Sequence, residues 1–565
     1  MAISTRLFTI LVISICVVHV MIRAYDLDRE SLDFDEAMTW NHTQSVKGVF
    51  LQTLLDIHPP LYFLCLSSWR QWAGSSESAL RAPSVVFSLF TLLTLMVFGR
   101  SIHAEAGRLN ALIVGLLFCL LPYDIFLSRF ARSWTMAMFL CSLHSYLYLK
   151  ATKESEIRLF IGSCVVGLLA VYTHYIAALP IASTMLAATM TNPNRRNLLC
   201  AGTSLAAMAI IFAPWAVVLP IQMVIKAGCP HFTTIRDSSA EAFLSLMNPG
   251  RYSLEDSYLR SRGPLYLMGL GVSAAAVGLV LSRFRRLLKV DWTRALLLQV
   301  LFTILLLAVS PTPLLNEKTL CVMLAPVLLL LAFCLTDNCL RRMQLSSIVS
   351  IGFICAFCGV SLAGFPYPSE RSGWREVCRN VTAQCNTLDH PLVLLSHTEE
   401  ILPLEYQQTR HEGTHMNELW IPLNSVGTMH SPYDRLWRLH TVDDPPPTIS
   451  GAEWGPVQEA ALVWVANHLF QTHPDISDIL YVRKGSGDLF NQPLPGPVNL
   501  TYQANVARFT MSRIGRFSAH VVYHMRALKA ESQRPRSPDP LHELAGREDR
   551  RSSAHKAAAE DSSTR

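Results

Sequence analysis

Blocks of about 20 apolar residues, the length of helix that crosses a bilayer, recur along this chain and leave few folds open to it. The first is "LFTILVISICVVHVMI", residues 7–22. Others lie near 82–99, 109–127, 134–149, 160–172, 175–190, 198–218, 264–282, 294–310, 320–336 and 346–364. Composition agrees with the pattern. Of 565 residues, 51% are hydrophobic and only 16% are charged, and the mean hydropathy is +0.29. Those values exclude an ordinary soluble domain. The fold expected is an all-α polytopic membrane protein with about eleven transmembrane helices. The N-terminal stretch has the outline of a signal peptide, but no small-residue cleavage site follows it. It reads as a signal anchor and first span.

Lysine and arginine orient membrane spans. If the spans alternate, one set of loops collects Arg100 and Arg108; Lys150, Lys153 and Arg158; Arg195 and Arg196; Arg283, Arg285, Arg286 and Lys289; and Arg341 and Arg342. That side, with the N-terminus, is cytoplasmic. Residues 23–81, the loop 219–263 and everything after about 365 then lie outside. The stretch 160–190 is long for one span and short for two. A single helix there would move Arg195, Arg196 and "RFRRLLK" outside, so the charge rule favours two short spans broken at "YTHY", residues 172–175.

Beyond Gly364 the composition changes. "GWREVCRNVTAQC" and "PVQEAALVWVANHLF" read as helices, and "PLVLLS" and "DILYVR" as buried strands. The expected organisation is a membrane domain over 1–365, a small extracytoplasmic α/β domain over 366–528 and a disordered, charged, Pro/Ser/Ala-rich tail over 529–565. Most cysteines lie in apolar runs. Cys378 and Cys385 share one predicted helix, which separates them by about 10 Å, too far for a disulfide.

The outer segment is where the polar residues gather. "SLDFDEAMTW", residues 31–40, carries Asp33, Asp35 and Glu36, and "DIHPPLYF", residues 56–63, carries His58 before a proline pair. Pro59 and Pro60 suit the first turn of a helix. Trp69 and Trp72, three apart, suit a helix lying in the interface. The bland alternative is an exposed acidic turn with a capping histidine. "SRFARSW", residues 128–134, places Arg129 and Arg132 at i, i+3 on one helical face. They lie at the outer end of a span, where the charge rule does not ask for them. Arginine at such a boundary suits a phosphate, or else snorkels to headgroups. Tyr172, His174 and Tyr175 fall in a break between short spans, where irregular backbone is tolerated if it lines a cavity. His174 could equally be a satisfied core histidine. Glu317 and Lys318 stand at the outer mouth of a late span, as site groups or as an ordinary loop ion pair. Together these residues suit a lipid-linked phosphosugar, whose phosphate stays at headgroup depth.

Residues 1 to about 365 resemble the GT-C glycosyltransferases that use polyprenyl-phosphate sugars. These include the dolichyl-phosphate-mannose–protein mannosyltransferases, the bacterial aminoarabinose transferases and the lipopolysaccharide-core transferases related to them. The motifs carrying the resemblance are "DEAMTW", "HPPLYF" with Trp69 following, "ESALRAPS" at 77–84, "SRFARSW", "YTHY", "FAPW" at 212–215 and "GWREV". The resemblance implies transfer of one sugar from a lipid phosphate carrier on the outer face, with the acidic pair of the first outer segment at the reaction centre. The acceptor is a glycan, lipid or protein. Membrane lipid is a further partner, and no nucleic acid is expected. Some relatives place a metal-binding acid immediately before the Lys/His-Pro-Pro triplet. Ile57 stands there, so a divalent metal is possible but not implied. Many relatives have an Arg-Tyr pair at the mouth of the late span, where the nearest candidate is Lys318.

The chemistry assigns Asp35 as base or acceptor ligand and Glu36 as support, because adjacent residues point in different directions. The phosphate falls to Arg129, Arg132 and Lys318, with His58, Tyr172 and His174 lining the site. Single displacement predicts inversion. A transporter or flippase of a lipid-linked sugar is the competing class, and it expects charges within the middle of spans. A binding domain on a passive anchor does not need so many spans. The location expected is a bacterial plasma membrane with the site facing out, or else the endoplasmic reticulum membrane. Sequons at Asn41, Asn380 and Asn499 do not separate the two.

Overall fold

The computed structural model describes residues 3–227, 264–308, 319–339, 345–364, 373–388, 392–395, 401–410, 477–484, 509–517 and 520–527, with short pieces at 248–249, 421–422, 466, 470, 501–502 and 505–506. Helix α1 (Thr5–Ala24) starts at Ser4, whose hydroxyl accepts the Leu7 N–H at 3.2 Å. It turns Leu7, Ile10, Val17 and Met21 outward and buries His19, Ile22 and Arg23 at its far end. An apolar outside with a polar inside is what lipid as solvent selects.

Three short helices follow: α2 (Phe34–His42), α3 (Val46–Leu55) and α4 (Leu61–Ala73). The two prolines lie just before α4, with Pro60 as its cap. Gly74 ends α4 at φ +80°, a conformation that only glycine adopts freely. Trp69 is 41% and Trp72 91% exposed.

Next come α5 (Glu77–Ile102), α6 (Gly107–Leu120), α7 (Pro122–Ser128) and α8 (Trp134–Glu154). The expected single span 109–127 is bent by 63° between α6 and α7, because Pro122 has no N–H to continue the ladder. The chain continues through α9 (Ile157–Thr173), α10 (Ala178–Thr191), α11 (Arg195–Ala216), α12 (Leu219–Ala227), α13 (Pro264–Ser282), α14 (Phe284–Leu287), α15 (Asp291–Ala308), α16 (Leu324–Cys339) and α17 (Leu345–Ala363). The break in the 160–190 stretch falls at His174, between α9 and a one-turn 3₁₀ helix. The start of the predicted outer loop 219–263 is helical, as α12.

Each predicted span coincides with a helix or a bent pair. Among the described residues, however, only six helices are long and apolar enough to cross a membrane, or seven if α6 and α7 count as one. The expected count of about eleven is therefore not reached on length and composition. The Leu320–Cys339 window is 94% buried and sits at the centre, while the windows of α1 and α11 are 11% buried and form the rim.

Beyond the bundle lie α18 (Trp374–Cys385), α19 (Ile401–Arg410) and a five-stranded sheet of order β2-β1-β3-β7-β6. Strands β1 (Leu392–Leu395) and β2 (Ile421–Pro422) are parallel, as are β1 and β3 (Asp478–Lys484). Strand β7 (His520–Ala527) runs antiparallel to β3 and to β6 (Phe509–Phe517). A separate two-stranded ladder joins β4 (Thr501–Tyr502) and β5 (Asn505–Val506). Trp374, Val377, Cys378 and Val381, at helical spacing on α18, pack with Val393, Leu395, Leu480, Val482 and Val522. Cys378 and Cys385 are free thiols. Most of the predicted helix 456–470, the tail 529–565, Glu317, Lys318 and Asn499 lie outside the described residues.

The sheet region is tied to the helices that carry the acids. Glu77, fully buried at the start of α5, pairs with Arg375 at 2.9 Å and with Arg410. Tyr406 donates to the Ser75 carbonyl at 2.9 Å and meets the Trp40 ring edge-on at 5.3 Å.

Candidate active site

The acidic turn is an N-cap. Asp33 precedes α2, its Oδ1 accepts the Glu36 N–H at 2.8 Å, and Glu36 reaches back to the Asp33 N–H at 3.4 Å. This capping box fixes the start of α2 and sends Asp35 and Glu36 to different sides.

Glu36 is fully buried. Arg81 grips both its oxygens, Nε to Oε1 at 2.8 Å and Nη2 to Oε2 at 2.6 Å, and the Ala131 N–H donates to Oε1 at 2.9 Å. Arg81 also donates to the carbonyls of Leu27, Glu30 and Ser31. One bidentate pair thus joins α2, α5, the loop after α1 and the turn before α8. These partners fill the carboxylate of Glu36 with structure.

Asp35 lies on the other side, with a side chain 25% exposed. Arg132, 4% exposed, brings Nη2 to 3.8 Å from Asp35 Oδ1 and Nη1 to 3.3 Å from Thr39 Oγ1. Its Nη2 also lies 3.4 Å from His58 Nε2. His58 Nδ1 is 3.0 Å from Asp56 Oδ2, and the His58 ring meets His174 edge-on at 5.4 Å. His42, fully buried on α2, brings Nδ1 to 3.7 Å from the same Asp56 oxygen. Burial alone would push the Asp56 carboxyl up. The cations and imidazoles around it, His58 first and then His42 and Arg132, outweigh burial and hold it well below the usual carboxylate range. Burial drives His42 down to about 4, aided by Arg132 and His58 and opposed by Asp56.

The structure therefore brings Asp35, Arg132, His58 and His174 together, with Glu36 behind them. It does not bring Arg129 or Tyr172 to that group. Helix α7 ends at Ser128, so Arg129 and Arg132 do not share a helical face as the spacing predicts. Arg129 turns back to the carbonyls of Arg23, Tyr25 and Asp26, closing the end of α1. Tyr172 donates to the Ile211 carbonyl at 3.0 Å and packs on Phe212. It lines an apolar cleft of about 480 Å³ with Phe50, Pro60, Leu64, Leu168 and Trp215.

Sequence reasoning missed Asp56, His42, Thr39 and Arg81 as parts of this arrangement. Asp56 and Arg81 stood inside quoted motifs, two residues before His58 and at the centre of "ESALRAPS". A second buried cluster was also missed. Arg23 and Asp124 pair at 2.6 Å, with Ser88 donating to the same carboxylate oxygen at 2.7 Å.

No protein-family model matches the sequence, and no curated protein matches it. Solved structures do match over most of the chain. ArnT from Cupriavidus metallidurans in the apo state has a TM-score of 0.53 at 11% identity, covering 93% of this chain and 99% of that one. The same protein bound to undecaprenyl phosphate gives 0.50 at 12% identity, covering 94% and 100%. The archaeal oligosaccharyltransferase AglB from Archaeoglobus fulgidus, in complex with an inhibitory peptide and a dolichol-phosphate, gives 0.51 at 12% identity, covering 84% and 69%. These are glycosyltransferases of the GT-C superfamily, and this chain shares their fold.

Proposed function

We propose that this chain is a membrane glycosyltransferase. It moves one sugar from a dolichyl or undecaprenyl phosphate carrier to a glycan, lipid or protein acceptor on the extracytoplasmic face. The observation that carries the reading is the part-exposed Asp35 carboxylate with the buried Arg132 guanidinium 3.8 Å away, at the point where the chain leaves its first apolar helix. A base and a phosphate partner side by side are what displacement at an anomeric carbon requires.

In that step the acceptor hydroxyl or amine attacks the anomeric carbon and its proton passes to the Asp35 carboxylate. The bond from that carbon to the phosphate oxygen breaks, and polyprenyl phosphate leaves with the electron pair. Its charge faces Arg132, with His58 and His174 lining the same space. Single displacement inverts the anomeric configuration. Glu36 takes no proton, since Arg81 and the Ala131 N–H hold its oxygens. Arg129 and Tyr172, turned to other partners, are left out of the substrate contacts. Lys318 is retained as a second cation for the phosphate.

The side chains around Asp35 do not suit a divalent metal. Among the described residues, no group of three or more His, Cys, Asp or Glu side chains is disposed to hold one, and a guanidinium lies against the carboxylate. We assign no step to a metal. The proposed organisation keeps a membrane unit over 1–365 and an outer α/β unit over 366–528, in a bacterial plasma membrane or the endoplasmic reticulum membrane.

The buried Arg23–Asp124 pair favours one competing reading, because transporters place charges inside their bundles. Reconstitution separates the two. Proteoliposomes holding the protein, a labelled undecaprenyl-phosphate sugar and candidate acceptors should release undecaprenyl phosphate as the label moves to the acceptor. Label crossing the bilayer with the phosphoester intact would make the chain a transporter.

A further inference from the structure

We propose that Asp56 is a positioning residue that sets the tautomer of His58 and, through it, holds Arg132 for the donor phosphate. The inference rests on the reading of Arg132 as the phosphate's partner. Asp56 ends α3, and its two carboxylate oxygens have different work. Oδ1 accepts the Ile57 N–H at 2.6 Å, and Oδ2 faces His58 Nδ1 at 3.0 Å. A carboxylate only accepts, so Nδ1 carries the hydrogen. The other ring nitrogen, Nε2, then presents a lone pair to Arg132 Nη2, 3.4 Å away. A guanidinium only donates, so this is the one neutral tautomer that suits both neighbours. Arg132 in turn spans His58, Thr39 and Asp35. A buried carboxylate thus orients the cation next to the base without touching substrate. His42 Nδ1 lies 3.7 Å from the same Asp56 oxygen, on the side of α2.

The chemistry of an amide gives a sharp test. In Asp56→Asn the new oxygen stays on the Ile57 N–H, because only an acceptor fits there. The NH₂ group then faces His58 Nδ1 and forces the hydrogen onto Nε2. Two donors now confront each other at Arg132, and the guanidinium must move. In His58→Gln the side-chain oxygen accepts from Arg132 with no tautomer to set. Asp56 should therefore matter in the wild-type background and much less in the His58→Gln background.

The measurement is a double-variant cycle on the full-length purified protein, read by affinity for undecaprenyl phosphate in detergent and by thermal unfolding. Asp56→Asn should weaken undecaprenyl phosphate binding by roughly tenfold, the scale of coupling in one hydrogen-bonded network. The same change made in His58→Gln should cost less than about threefold. Equal losses in both backgrounds would overturn the proposal and reduce Asp56 to a brace for the loop, as would unchanged binding in Asp56→Asn. If Asp56→Asn cannot be purified, Asp56→Glu offers the same comparison, because it keeps the acceptor and should retain binding within about threefold. Turnover of Asp35→Asn, run alongside, separates the two claims. Wild-type transfer there sinks the active-site reading, whereas an inactive Asp35→Asn with an additive Asp56 cycle sinks only this inference.

Discussion

The two sides of α2 carry the same chemistry in different states. On the inner side, Glu36 and Arg81 meet at 2.6 and 2.8 Å, with side chains 0% and 2% exposed. On the outer side, Asp35 and Arg132 stand 3.8 Å apart, with side chains 25% and 5% exposed. The inner pair is filled by further hydrogen bonds from Ala131 and to the carbonyls of residues 27–31. The outer pair shares its cation with Thr39 and His58 at 3.3 and 3.4 Å. A closed pair of this kind specifies how helices meet. A loose one is typical of catalytic groups before substrate arrives, when their hydrogen bonds are long. The capping box at Asp33 makes this division possible, because it fixes which way each carboxylate leaves α2.

Breaking the inner side should have the largest effect. Arg81→Ala leaves Glu36 buried without its cation, which costs about 3–5 kcal/mol. The variant should lose most of its folded yield and melt well below wild type by size-exclusion and thermal-unfolding assays. A wild-type melt would mean that the inner pair is not structural. On the outer side, Arg132→Ala should fold but bind undecaprenyl phosphate roughly 10- to 100-fold more weakly, the scale of losing a charge-assisted contact. Unchanged affinity would remove Arg132 from the phosphate site.

Arg129→Ala sharpens the comparison further, because sequence alone treats the two arginines as equals. It removes hydrogen bonds to the end of α1 and should cost about 1 kcal/mol of stability. Its affinity for undecaprenyl phosphate should stay within about twofold of wild type. A large loss of affinity would return it to the substrate contacts.

The smallest effect expected is a pH dependence at His42. Folding holds its pKa at about 4, against an ordinary value of 6.5. Between those values the unfolded chain binds the extra proton, so stability should fall as pH drops from 6.5 toward 4. In His42→Gln the melting temperature should vary less over that window. An identical pH slope would place the effect elsewhere.

Much of the membrane part is written in periodicity and charge. The break at His174 follows from the length of 160–190 and the cations beyond it, and the helix starting at Leu61 follows from the proline pair. The span count is less legible, since short apolar helices such as α9 and α10 do not announce whether they cross. Within the site, the segregation of Asp35 from Glu36 can be reasoned from adjacency. The fate of Arg129 cannot, because it depends on α7 ending one residue earlier and on the carbonyls of α1 lying within reach. The partnership of Arg81 with Glu36 joins residues 45 apart in sequence, and no local pattern specifies it. Asp56 was hidden for a different reason. The role proposed for it rests on the His58 ring standing between its carboxylate and the Arg132 guanidinium, which is geometry and not spacing.

The central claim is that two neighbouring carboxylates do two different jobs, and one paired measurement tests it. Asp35→Asn and Glu36→Gln are purified in parallel, and each is assayed for thermal unfolding and for single-turnover transfer from an undecaprenyl-phosphate sugar. Asp35→Asn should melt like wild type and lose turnover by about 10²–10⁴, the usual contribution of a general base. Glu36→Gln should melt at lower temperature, and the fraction that remains folded should keep most of its turnover. An Asp35→Asn protein that transfers sugar at the wild-type rate, or a stable Glu36→Gln protein that has lost turnover, would contradict the account.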